Sequence, residues 1–183
     1  TKRNFYTYNS AGNRLTLTRQ SFIDSTWKNS VKFVSEYDNE QNEMVHHEQI
    51  WRETFWDDSE RYDYTYDAAG HVTSQNYQKL AEGMILFRSF VMYENDVFGN
   101  KTLELSRKWV NNEWVDDQKT IEVHVALDRP VLHLEQTFTP NGWLNKWQFL
   151  IEYDTTATGI TSYAITQYWD SLGWRNTNRY TIV

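Results

Sequence analysis

The chain has no cysteine, two prolines and seven glycines among its 183 residues. Without cysteine there are no disulfides, no thiol chemistry and no cysteine-bound zinc or iron–sulfur centre. So little Pro and Gly excludes a collagen-like or low-complexity chain. No apolar run approaches the length of a membrane-spanning helix, so membrane insertion is not expected. Nor is there a cluster of Lys or Arg: 18 basic residues stand against 25 acidic ones, a formal net charge of −7. Nucleic acid and anionic membrane surfaces, which are met by dense basic patches, are therefore not expected partners. Thr1-Lys2-Arg3 carries neither an initiator Met nor a signal-peptide pattern, and reads as part of a longer parent chain.

What the chain has in abundance is large rings: 12 Tyr, 9 Trp and 9 Phe, 16% of residues, against a hydrophobic total of only 39%. Apolar area concentrated in rings suits thin packed layers better than a thick aliphatic core.

The rings recur. Tyr6-Thr-Tyr-Asn-Ser-Ala-Gly-Asn13 returns as Tyr64-Thr-Tyr-Asp-Ala-Ala-Gly-His71. With the second Tyr as anchor, a row runs Tyr8, Tyr37, Tyr66, Tyr93, Val125 (degenerate) and Tyr153, in steps of 27 to 32 residues. A second row runs Trp27, Trp56, Met84, Trp114, Trp143 and Trp174, and Asn or Asp follows two residues after five of these six. Two landmarks keeping one period define about six copies of one unit.

Each landmark sits at a turn. In Asp67-Ala-Ala-Gly70 the Asp suits the first position of a type I turn and the Gly a positive φ. Asn9 to Gly12 matches it, Asp38 to Gln41 lacks the Gly, and Glu94 to Gly99 reads as carrying an insertion. The Trp-side turns, such as Asn111 to Trp114 and Pro140 to Trp143, read as looser. Between turns lie stretches of about ten residues with strand alternation, clearest at Tyr62, Tyr64 and Tyr66 and at Trp147, Phe149, Ile151 and Tyr153. No segment has the pattern of an amphipathic helix.

The expected fold is all-β: a continuous antiparallel β-meander of about six two-stranded hairpin repeats over residues 1–183, in a single layer, open or curled. Turns are expected near residues 9–13, 67–70 and 154–159. Tyr8, Tyr37, Tyr66, Tyr93 and Tyr153 should form one structural row, with Tyr37, Tyr66 and Tyr153 largely buried. By parity, Trp27, Trp56, Trp143 and Trp174 should lie on the Tyr face. Arg179-Tyr-Thr-Ile-Val183 matches the stretch before an anchor Tyr, so the array is expected to continue in its parent, with edge strands free to pair with continuing chain or neighbouring molecules.

Tyr8-Asn-Ser-Ala-Gly-Asn-Arg-Leu-Thr16 and Tyr66-Asp-Ala-Ala-Gly-His-Val-Thr73 resemble the tyrosine–aspartate hairpin repeats of the RHS/YD class. With Trp109-Val-Asn-Asn-Glu-Trp-Val-Asp116 and Tyr168 to Asn176 added, the chain is more similar to the longer Trp-containing repeats of secreted and surface proteins of Bacteroidetes-type bacteria. The resemblance covers nearly the whole chain. It implies an extracellular or cell-surface location, in proteins that often carry a type IX secretion sorting domain, and it brings no catalytic residues.

The residues themselves point to no catalytic, cofactor-binding or metal site. His46 and His47 face opposite sides of one strand, and His71 takes a turn position that is Asn13 in the first repeat. Asp57-Asp58 and Asp116-Asp117 follow a Trp and read as turn positions. Trp51 with Trp56, Trp109 with Trp114, and Trp169 with Trp174 are the candidate partner-binding aromatics, suited to a sugar ring or a protein surface. The functional expectation is a non-enzymatic extracellular or cell-surface repeat scaffold, whether stalk, spacer or adhesin segment. The alternatives are a glycan- or protein-binding module using exposed Trp and Tyr, and a wall segment of an RHS-like shell.

Overall fold

The computed structural model describes residues 1–126, 129–154 and 161–182. Thirteen strands follow one another: β1 (Lys2–Tyr8), β2 (Arg14–Ile23), β3 (Thr26–Tyr37), β4 (Glu43–Arg52), β5 (Phe55–Tyr66), β6 (Val72–Ala81), β7 (Met84–Asn95), β8 (Lys101–Val110), β9 (Glu113–Ala126), β10 (Arg129–Thr139), β11 (Gly142–Asp154), β12 (Thr161–Asp170) and β13 (Gly173–Ile182). They form one antiparallel meander in sequence order, with β1 and β13 at its edges and no helix among the described residues. The chain divides into two compact units, Thr1–Phe90 and Val91–Val183. The all-β meander thus stands, as do the turns at 9–13 and 67–70; the one expected at 154–159 lies outside the described residues apart from Asp154.

The Tyr-side turns are held by a side chain rather than by a ring. In four of them the turn opens on Asn9, Asp38, Asp67 or Asp96. Two backbone hydrogen bonds of 2.9–3.2 Å close each loop, from the first residue's amide to the carbonyl of the fifth and from the fourth residue's amide back to the first. The Oδ1 of the opening residue accepts the amide of Asn13, Asn42, His71 or Asn100 at 2.8–3.0 Å. Asn and Asp occur there because their short polar side chains bond their own turn. The fourth residue has positive φ: +90° at Gly12, +85° at Gly70 and Gly99, and +70° at Gln41, where a side chain replaces the Gly.

These turns correct the register read from sequence. Asp96 opens its turn 29 residues after Asp67, so the anchor of the fourth repeat is Asn95 and not Tyr93, and that hairpin has no insertion. His124 pairs with Pro130 at the spacing of Tyr66 with Val72, so His124, not Val125, holds the fifth anchor. The row 8, 37, 66, 95, 124, 153 keeps an unbroken step of 29. In the second row the two-residue turn Glu82-Gly83 places Ile85, not Met84, at the Trp position.

The Trp-side turns are tight, not loose. Two residues connect the strands at Asp24-Ser25, Glu82-Gly83 and Asn111-Asn112, all with positive φ, as two-residue hairpins matching the strand twist require. At Pro140-Asn141 and Ser171-Leu172 the positive φ moves one residue on, to Gly142 (+102°) and Gly173 (+134°).

Three residues beyond each of five Trp rings, the strand gains one unpaired residue. Gln20 pairs Asn29 while Arg19 pairs Val31, skipping Ser30; Ser59, Asp117, Lys146 and Thr177 are skipped in the same way. Such a bulge inverts the alternation beyond it. Trp27, Trp56, Trp143 and Trp174 therefore lie on the face opposite Tyr37, Tyr66, Tyr153 and Tyr180, which corrects the parity expectation.

Packing is thin. Among the described residues only Leu17 and Ala164 are buried apolar residues, and no large side chain is fully buried. Tyr37, Tyr66 and Tyr153 are partly buried and Tyr8 is 57% exposed. The Tyr row instead ties hairpins together. The hydroxyls of Tyr37, Tyr66 and Tyr153 donate to the carbonyls of Arg14 (3.2 Å), Glu43 (2.8 Å) and Pro130 (3.0 Å), each 23 residues earlier, at the start of the strand after the preceding turn.

In the first unit the Tyr face also carries a file of rings across the strands: Phe33 to His46 at 5.9 Å, His46 to Tyr62 at 6.2 Å, Tyr62 to Tyr77 at 4.8 Å, and Tyr77 to Phe87 at 6.1 Å. Burial, with the Glu60 carboxylate 3.1 Å from its hydroxyl, pushes Tyr62 up to about 12.

Candidate functional site

The sequence candidates converge on one recurring arrangement at the Trp-side hairpins. Trp51 and Trp56 face each other across their turn at 5.1 Å between ring centroids, Trp109 and Trp114 at 5.2 Å, and Trp169 and Trp174 at 5.2 Å, all edge-to-face. Each pair is directly opposed in the ladder, where cross-strand aromatic pairs stabilise a sheet by up to about 1 kcal/mol. Phe22–Trp27 (5.1 Å) and Phe138–Trp143 (5.2 Å) repeat the arrangement with one Phe and were not among the candidates read from sequence.

Beside every ring pair runs a polar rung, also missed. Gln20 donates to Asn29 (2.7 Å), Gln49 to Asp58 (2.7 Å), Arg107 to Asp116 (2.7 Å), Gln136 to Asn145 (2.6 Å) and Gln167 to Asn176 (2.6 Å). The Asn or Asp two residues after Trp is the acceptor, and its donor stands two residues before the first ring. That donor series, 20, 49, 107, 136, was the signal that could have revealed it. Two rungs extend a strand further, through Arg3 to Gln20 (2.8 Å) and Gln148 to Gln167 (2.6 Å).

The rings remain accessible in part. Trp114 is 40% exposed, Phe138 38% and Phe22 47%, with the other Trp rings half-buried. Cations lie over two of them: the Arg3 guanidinium over Trp27 at 4.4 Å and the Lys119 ammonium over Trp143 at 4.6 Å. At the last hairpin the Arg175 guanidinium, 2.8 Å from Asp170, holds that carboxyl below its usual range.

The structural row read from sequence is brought together only in part. Tyr37, Tyr66 and Tyr153 make the clamp described above. Tyr8 instead stacks on Tyr6 at 6.4 Å, and Tyr93, two residues off the row, lies under the Lys101 ammonium at 4.3 Å. On the Tyr face of the second unit Glu122 lies 2.7 Å from His133 and 3.5 Å from His124, and His133 stacks on Trp147 at 4.8 Å. Among the described residues no group of three or more His, Asp or Glu is arranged to hold a metal ion.

No family model and no curated protein matches the chain. Among solved structures, it overlaps a protein of unknown function from Bacteroides fragilis (13% identity, 66% of this chain and 91% of that one, TM-score 0.49). It also overlaps a porin-like protein from Bacteroides uniformis (11% identity, 96% and 87%, TM-score 0.34) and TcdB2-TccC3 (11% identity, 96% and 12%, TM-score 0.32). At such identities and scores these overlaps assign neither family nor function. Strand order and register define the class: an antiparallel β-meander repeat protein with a 29-residue unit.

Proposed function

We propose that the chain is a non-enzymatic repeat scaffold, an adhesin or spacer segment displayed outside the cell or on its surface. The observation that carries this is the Tyr clamp. Each of three hairpins is fastened to the one before it by the same hydroxyl-to-carbonyl bond. An array built from nearest-neighbour links grows by adding units and requires no central core. Each unit of two strands advances the sheet by about 9.6 Å, a modular way to set a distance. The resemblance of the Tyr-Asp turns and Trp hairpins to repeats of secreted and surface proteins supports the location.

The test uses the parent protein in its host. Antibodies raised against residues 103–121 should label intact cells, and a protease added outside should remove the signal. Labelling that appears only after lysis overturns the proposed location. Adding a 29-residue unit should raise the maximum dimension in solution scattering by about 10 Å; an unchanged dimension overturns the spacer role.

A further inference from the structure

The geometry points to a binding site for an extended, neutral, β-1,4-linked polysaccharide along the Trp edge of the second unit. Three ring pairs follow one another there: Trp109–Trp114 on β8–β9, Phe138–Trp143 on β10–β11 and Trp169–Trp174 on β12–β13. All stand at the same position of their hairpins, on the same face. Successive pairs are two strands apart, about 9.6 Å, close to the length of two pyranose units in an extended β-linked chain. A glycan crossing the strands would meet one ring pair at every second sugar.

What flanks the rings selects the ligand. Gln136, Asn145, Gln148, Gln167 and Asn176 form amide rungs beside the second and third pairs. Aromatic faces take the C–H side of a sugar, and amides bond its hydroxyls without favouring charge. With a net charge of −7 and no basic cluster, the chain opposes an anionic glycan. A folded protein partner is less suited, since the pairs alternate with polar rungs instead of merging into one apolar patch.

A second observation concerns the middle platform. The buried Oε1 of Gln136 has no hydrogen-bond partner, although the matching Gln20 accepts from Arg3 and Gln167 from Gln148. Its direct cross-strand neighbour is Lys119, whose ammonium lies over Trp143 instead. A sugar stacking on Trp143 displaces that ammonium, which then has the Gln136 oxygen to bond. Lys119 is thus a removable cover, and its second position is already built. The site does not depend on where the array is displayed, so its failure would leave the scaffold role standing.

The test titrates the whole chain with cellohexaose and chitohexaose, following Trp fluorescence and heat, against cellobiose, maltohexaose and an oligogalacturonate. At least one of the two β-1,4 hexasaccharides should bind ten-fold or more tighter than cellobiose, because it spans three platforms, and tighter than the α-linked or anionic chains. Trp143→Ala should lower that affinity at least ten-fold, with folding verified by circular dichroism. Lys119→Met leaves every ring in place and should tighten binding several-fold. Hexasaccharides no better than cellobiose, or oligogalacturonate the best ligand, would overturn the site. Unchanged or weakened binding in a folded Lys119→Met protein would overturn the cover.

Discussion

Replacing Tyr66 by Phe keeps the ring and deletes the hydroxyl that reaches 2.8 Å to the Glu43 carbonyl. A single neutral hydrogen bond contributes about 1 kcal/mol net, and an acceptor left without its partner adds to the loss where water cannot reach it. Tyr66 is half-buried, so Tyr66→Phe should cost about 1 kcal/mol. Tyr66→Ala also removes the ring, and a fully buried aromatic deletion costs about 3–5 kcal/mol; partial burial lowers the expected total to about 2–3. Tyr153→Phe and Tyr37→Phe serve as internal controls, since their bonds are 3.0 and 3.2 Å and the Tyr37 bond is exposed. Losses should rank Tyr66, then Tyr153, then Tyr37. Urea titrations give the free energies, and hydrogen exchange should show faster opening centred on β4 and β5 for the Tyr66 variants. A Tyr66→Phe loss below about 0.3 kcal/mol, beside a full ring effect in Tyr66→Ala, would show that packing alone joins the hairpins and refute the clamp.

Gly12 has φ +90° with nothing within 4 Å of a Cβ placed on it. Gly12→Ala should therefore cost about 1–2 kcal/mol through backbone strain alone, measured as a lower urea midpoint with an unchanged slope. Asp38, Asp67 and Asp96 are held below the usual carboxylate range, the first and third chiefly by the side-chain amides of Asn42 and Asn100, and Asp67 chiefly by the His71 backbone amide. Groups lowered on folding contribute stability that is present above their unfolded value, near 3.9, and is lost as pH falls through the folded one. Urea midpoints should therefore fall from about pH 4 downward, less steeply in Asp67→Asn. Trp109→Ala should remove the near-ultraviolet circular dichroism of the edge-to-face pair and cost about 1–2 kcal/mol, combining the pair's own contribution with lost ring contacts.

Strand content, antiparallel order, the Asp-x-x-Gly turns and the Trp pairs were all legible from two recurring residues. The register departures have a common origin. Tyr identity is a poor marker, because the backbone is positioned by the Asn or Asp that bonds its own turn; Asp96, in step with Asp67, places Asn95 on the row and leaves Tyr93 off it. His124 and Ile85 escape the pattern because neither resembles the residue it replaces. The face of the Trp rings was illegible for another reason. Ser30, Ser59, Asp117, Lys146 and Thr177 are all polar, but so are most of their strand neighbours, and the hydroxyls that Ser59 and Thr177 donate to the Glu48 and Thr166 carbonyls mark them only once the strands are paired. The polar rungs join residues nine apart, Gln20 with Asn29 or Gln136 with Asn145, and stand out only when the hairpin is already in register.

The bulge also bears on how such a gene can change. The 29-residue cassettes built around Trp27, Trp56, Trp114 and Trp143 each contain their own parity inversion, so a whole cassette duplicated or deleted by unequal recombination returns the next one to the same orientation. Copy number is then free to drift, lengthening or shortening the product without disturbing which side any ring presents. Loss of the single codon for Ser59 would be different in kind, because β5 could keep its Trp56 rung or its Tyr66 clamp but not both. Selection on these genes should accordingly tolerate changes in multiples of 87 nucleotides and purge isolated triplet losses within the strands.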